Sequence, residues 1–233
     1  MINKEALEYL VGLAKVEIIE VDGQPYSTKP IYHVKEPSPA AICISTLTGL
    51  VDYVKSGVDG MDLPQIIHIA SPTEVKLYSE IKPDMARDNF ITCTAQTPKI
   101  IMNQFVDMET FNIMLQSCFD GNEDSENILK IIGNIKEENV NNFGDDGVSQ
   151  SVVAKVGIAT VADIKLPNPV ILAPFRTFAE VEQPASKFVF RMQTGPKAAL
   201  FEADGGAWKQ TAMVLIKDYL EKALTGCDVK IIA

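Results

Sequence analysis

The chain has 233 residues, 46% of them hydrophobic and 22% charged, which is ordinary for a soluble globular protein with a core of its own. Its formal net charge of −10 argues against a general binder of nucleic-acid backbone, because such proteins carry a basic face. The sequence shows no secretory leader pattern and no apolar run of about 18 residues, so neither a signal peptide nor a membrane span is expected, and the expected compartment is the cytoplasm.

In chain order, Asn3 reads as the cap of a helix to about Ala14, with Leu7, Leu10, Val11 and Ala14 along one side. Val16 to Val21 reads as a strand closed by the turn signal Asp22-Gly23, and Ile31 to Val34 as another. Pro37-Ser38-Pro39 breaks the chain. Ser45 then caps a helix to about Ser56, stopped by Gly57. Strands are expected at Gln65–Ala70 and Glu74–Ile81, joined at Ser71-Pro72, and again at Phe90–Ala95.

The middle reads as helical. Asp107 caps a helix whose Met108, Phe111, Met114, Leu115, Cys118 and Phe119 share a stripe. Asp124 or Ser125 begins the next, with Ile128, Ile131, Ile132 and Ile135 inward. Asn141–Gly147 has the composition of a loop, and Val148–Val161 alternates like one or two strands. Two prolines in Leu166–Pro169 rule out a central strand there.

Phe188, Phe190 and Met192 alternate with Val189, Arg191 and Gln193. That strand turns at Thr194-Gly195-Pro196 and returns along Ala198–Ala203. A long amphipathic helix follows from about Gly206 to Leu224, and Val229–Ile232 reads as an edge strand. Trp208 is expected to anchor the long helix on the sheet carrying Phe188, Phe190 and Met192. The class is α+β, mainly antiparallel sheet packed by amphipathic helices. The chain divides into parts 1–96 and 97–233, which one core can join.

The chemistry is weighed by elimination and position. Cys43, Cys93, Cys118 and Cys227 are far apart and read as buried structural thiols. His33 and His68 each lie alone in apolar strands. No nucleophile elbow, zinc motif, P-loop or dinucleotide fingerprint occurs, and no cofactor or metal is implied. Two arrangements remain. Glu180 and Glu182, two apart, with Glu202 and Asp204 across the hairpin, form an alternative catalytic set able to hold a hard divalent cation. Against that, Asp204 is well placed to cap the long helix. Separately, Gly205-Gly206 at a helix start leaves amides open to an anion, with Arg176 and Arg191 as candidate partners for a nucleotide-like ligand.

The tracts NNFGDDGVSQ (Asn141–Gln150), LPNPVILAPFRTFAEVEQPASKFVFRM (Leu166–Met192) and ALFEADGGAWK (Ala199–Lys209) resemble a family of uncharacterised bacteriophage and prophage proteins. These are the Firmicutes relatives of the enterobacterial prophage protein YfdQ. The resemblance runs from about Ile66 onward and is strongest in the C-terminal third. It transfers no functional residue. It implies a phage-encoded protein of the host cytoplasm with an accessory or counter-defence role. The expected function is therefore a non-catalytic, homo-oligomeric accessory protein that binds a host protein or a small anionic ligand. A divalent-metal-dependent hydrolase or nuclease, and a DNA-metabolism accessory, are the alternatives. Self-association is expected at the Val229–Ile232 edge and at the apolar stretch Val170–Phe178 (VILAPFRTF).

Overall fold

The computed structural model describes residues 4–30, 37–59, 64–83, 85–134, 142–145, 150–156, 160–165, 167–193, 195 and 197–233, with 142–165 as backbone. The contacts divide the chain at residue 38, into units 1–38 and 39–233, rather than at Gln96 as the sequence suggested. The first unit holds α1 (Lys4–Ala14) and a hairpin of β1 (Ile18–Val21) and β2 (Gln24–Ser27). Asp22 and Gly23 take positive φ (51° and 77°), which a tight two-residue hairpin turn needs, and Val21 pairs with Gln24 across it. The expected cap Asn3, the strand at 31–34 and His33 lie outside the described residues.

The second unit runs β3 (Ile42–Ile44), α2 (Leu47–Ser56), β4 (Gln65–Ser71), β5 (Glu74–Ser79), β6 (Asn89–Thr94), β7 (Val106–Asp107), α3 (Met108–Cys118), β8 (Phe119–Asp120) and α4 (Glu123–Asn134). It continues with β9 (Asn142–Asp145), β10 (Gln150–Val156), β11 (Thr160–Lys165), β12 (Val170–Pro174), β13 (Ser186–Gln193), β14 (Lys197–Glu202), α5 (Ala207–Ala223) and β15 (Val229–Ile232). The α+β class holds, with mostly antiparallel pairing.

One sheet has the order β15-β4-β5-β6-β3. Its centre is an antiparallel meander, and its outer strands are parallel to their neighbours. The C-terminal β15 thus completes a sheet begun before Gln96, which is why no boundary falls there. A second sheet, β7-β14-β13-β12-β8, is antiparallel throughout. Asn142–Asp145, read as loop from its Asn, Gly and Asp content, pairs with β10 in a three-stranded meander with β11. Ladder bonds override the local turn preference there.

Helix boundaries follow local capping chemistry. Asp107 caps α3, its carboxylate accepting from Thr110 N at 2.8 Å. Hydrogen bonds from Thr110 hold that carboxyl below the usual range. Thr46, one residue after the expected Ser45, caps α2, and Gly57 ends it in the left-handed region (φ 58°). α4 is capped by Asn122, whose Oδ1 accepts from Ser125 N while Ser125 Oγ accepts from Asn122 N, a reciprocal box that starts the helix before the expected Asp124.

Two hydrophobic clusters result. α3 and α4 bury Phe111, Met114, Leu115, Ile128 and Ile132 against Val170, Leu172, Phe188, Phe190, Met192 and Leu200 of the second sheet. α2 and α5 bury Leu47, Leu50, Val51, Ile216 and Leu220 against Ile67, Ile69, Val75, Leu77 and Ile91 of the first sheet. The long helix thus packs on the other sheet from the one expected, because its apolar stripe meets β4 and β15.

Phe178, with Val181 beyond it, belongs to the α2–α5 cluster, so most of the apolar stretch Val170–Phe178, read as a self-association surface, is buried within the chain, while Ile171 is exposed. Phe178 is 1% exposed on a loop with no ladder of its own. Phe178→Ala should therefore cost about 3–5 kcal/mol, read from urea denaturation. A loss below about 1 kcal/mol would mean the loop is not anchored by this ring.

Candidate functional site

β12 ends at Pro174 and the chain enters a loop, residues 175–185, that carries Arg176 into the protein. Gln183 shapes the loop. Its Oε1 accepts from the amides of Arg176 (3.0 Å) and Thr177 (3.3 Å), and its Nε2 donates to the carbonyls of Phe178 (3.0 Å) and Val181 (3.2 Å). Thr177 Oγ1 donates to Pro72 O at 2.5 Å and ties the loop to the β4–β5 turn.

Arg176 is 8% exposed. Its Nη1 donates to Glu202 Oε1 at 2.9 Å, and its Nη2 to Pro184 O at 3.2 Å and Ser186 Oγ at 2.5 Å. The guanidinium carbon lies 3.9 Å from the Trp208 ring centroid and 5.8 Å from that of Phe188. Burial pulls the Arg176 pKa down, opposed by Glu202 and Asp204. An arginine stays charged under such a pull. Arg176 Nε and the Trp208 indole N–H are buried and meet no acceptor among the described residues.

Beside this cation, Gly205 and Gly206 both take left-handed backbone (φ 63° and 82°), so the chain folds back over Asp204 before α5 starts at Ala207. Asp204 Oδ1 accepts from Gly206 N at 3.0 Å and Oδ2 from Trp208 N at 3.2 Å. The helix cap position falls on Gly206, but the capping oxygen belongs to Asp204, as expected. The open amides read as an anion cradle thus already hold the protein's own carboxylate.

The other candidates separate. Arg191 registers with Ala199, on the face of β13 opposite to Ser186 and Phe188, so it does not converge with Arg176. Glu180 and Glu182 lie around a turn rather than on an extended chain, and Glu182 is exposed. Glu180 Oε1 accepts from Thr48 N at 3.3 Å in the first turn of α2. Thr48 Oγ1 is 3.1 Å from Tyr219 Oη of α5. Glu202 is committed to Arg176. Among the described residues no three His, Cys, Asp or Glu side chains gather as a metal site needs.

Trp208 is half-buried on Arg176 and is absent from the helix-sheet cluster of Phe188, Phe190 and Met192. Residues missed from the sequence were Pro184 and Ser186, which complete the cation's cage, Gln183, which shapes its loop, and Thr48, whose amide Glu180 accepts from and whose hydroxyl meets Tyr219. A lone indole next to an acid-glycine-glycine turn was the one signal pointing to the cage.

The cysteines are all free. Cys93 and Cys118 are buried, but Cys43 is exposed on edge strand β3, contrary to the expected burial. Cys93 Sγ donates to Thr46 O at 3.2 Å, and burial, with Glu180 adding to it, pushes its thiol up to about 12. His68 sits on β4 in register with Lys76 and Ile232 and, among the described residues, belongs to no group of three His, Cys, Asp or Glu side chains.

No helix among the described residues is long and apolar enough to cross a membrane. No family model matches the chain, and no curated protein or solved structure matches it either.

Two outcomes follow from this geometry. Arg176→Lys keeps the charge but loses the fork that serves Glu202, Pro184 and Ser186 together. It should lower stability by about 1–3 kcal/mol and shift the emission of Trp208, the single tryptophan. Unchanged melting and emission would refute the cage. In native protein at mildly alkaline pH, alkylation mapped by mass spectrometry should label Cys43 and spare Cys93 until unfolding. Because the folded Cys93 thiol titrates at about 12, above its ordinary 9.0, its stabilising contribution is complete below the ordinary value and is lost as pH rises from there through the folded value. Equal labelling of both thiols would contradict the burial of Cys93.

Proposed function

We propose that the protein is a non-catalytic bacteriophage accessory protein that acts in the host cytoplasm by binding a host protein. The phage context comes from the three tracts that resemble the prophage family. The observation that carries the mode of action is that the candidate reactive groups are spent inside the fold. Asp204 fills the amide cradle of α5, Glu202 neutralises Arg176, and Glu180 sits on an α2 amide.

This favours a protein partner over a small anionic ligand, which would have to displace two built-in carboxylates. The hydrolase reading is weakened, because three of the four carboxylates serve separate roles and Glu182 is exposed on the loop. A role on DNA meets the net charge of −10.

Native mass spectrometry of the tagged protein drawn from phage-infected cells tests the reading. The expected species is the chain bound to one host protein in fixed stoichiometry, with no nucleotide mass. A magnesium- or manganese-dependent hydrolytic activity abolished by Glu202→Ala would overturn it, as would a stoichiometric bound nucleotide.

A further inference from the structure

The first unit carries apolar side chains that its 38 residues are too few to bury. Leu7 and Val11 on α1 are 53% and 59% exposed, and Ile18, Ile19 and Tyr26 on the hairpin are exposed too. Tyr9, Leu10 and Leu13 are exposed on the other faces of α1, and one face has a shape. Lys4, Leu7, Glu8, Val11, Gly12 and Lys15 line a groove. Their spacing is that of two successive four-residue holes on a helix, the sockets that receive side chains in knobs-into-holes packing. The holes merge because Gly12 has no side chain, and nothing lies within 4 Å of where its Cβ would be.

We propose that this groove receives α1 of a second copy, antiparallel across a two-fold axis, making the protein a homodimer through its N-terminal unit. The occupant follows from the charges. With the axis between Val11 and Gly12, Glu8 on α1 and Lys15, held by its amide on Gly12 O just past the helix end, lie equally far from it in sequence, so each Glu8 faces Lys15 of the other copy. Two ion pairs then flank the groove, and Val11 of each copy enters the dent over Gly12 of the other. A parallel pairing would set Glu8 level with Glu8 and Lys15 with Lys15. The Lys4–Glu8 pair within α1, 3.7 Å and exposed, is weak enough to share its carboxylate. The inference does not depend on the host-partner reading.

Sedimentation equilibrium of the full chain across the micromolar range tests it. The expected mass is twice 25.5 kDa. Gly12→Leu fills the groove while raising helix propensity, so the fold is kept, and association should weaken by roughly tenfold or more. Glu8→Lys should weaken association likewise, and Glu8→Lys with Lys15→Glu should restore it. A monomer mass throughout would overturn the proposal. So would a dimer that Gly12→Leu and Glu8→Lys both leave unchanged.

Discussion

A single buried cation organises the larger unit. Arg176 is taken out of water, and a buried charge is tolerated only when it is paired and its donors are satisfied. Glu202 at the end of β14, Pro184 in the loop, Ser186 at the start of β13 and Trp208 in the first turn of α5 meet that demand at both Nη atoms, while Nε meets no acceptor among the described residues. Each must hold its place for the others to be useful. The loop that delivers the cation also sends Phe178 and Val181 into the α2–α5 cluster, while Phe188, near the guanidinium, belongs to the α3–α4 cluster. One ion therefore stands where the two cores meet.

The same economy governs the helix starts. Each helix exposes amides that need acceptors. Asp204 serves α5, Asp107 serves α3, Asn122 and Ser125 serve α4, and Thr46 with Glu180 serves α2. Asp124, in the first turn of α4, spends its carboxylate on Ile171 N of the neighbouring strand, at 2.6 Å. Acidic residues that suggest chemistry when read along the chain are here the internal counter-groups of backbone dipoles and of Arg176. In the first unit, apolar side chains of α1 and of the hairpin are left exposed.

This division explains the functional reading. On the proposed reading, a protein that spends these polar groups in holding its own elements would recognise a partner by shape and apolar contact. The net charge of −10 fits that reading, because a nucleic-acid backbone repels an acidic surface.

Much of the secondary structure was legible because it rests on neighbours within four or so residues. The Asp22-Gly23 turn, the Asp107 cap, the Gly57 stop, the β13–β14 hairpin and the alternation of Phe188, Phe190 and Met192 all follow from local backbone and side-chain chemistry. So did the service of Asp204 to the last helix, although the two left-handed glycines moved the cap position itself to Gly206. Tertiary structure alone decided which elements meet. Asn142–Asp145 became a strand because β10 offered it a ladder, and β15 joined β4 from the far end of the chain. The α5 stripe met the first sheet, not the second. Arg176 found Glu202 at a separation of 26 residues, and Glu180 found Thr48 at 132. Such pairings leave no periodic mark, because a charge is placed by the burial it must compensate, and burial exists only once the sheets and helices have closed around it.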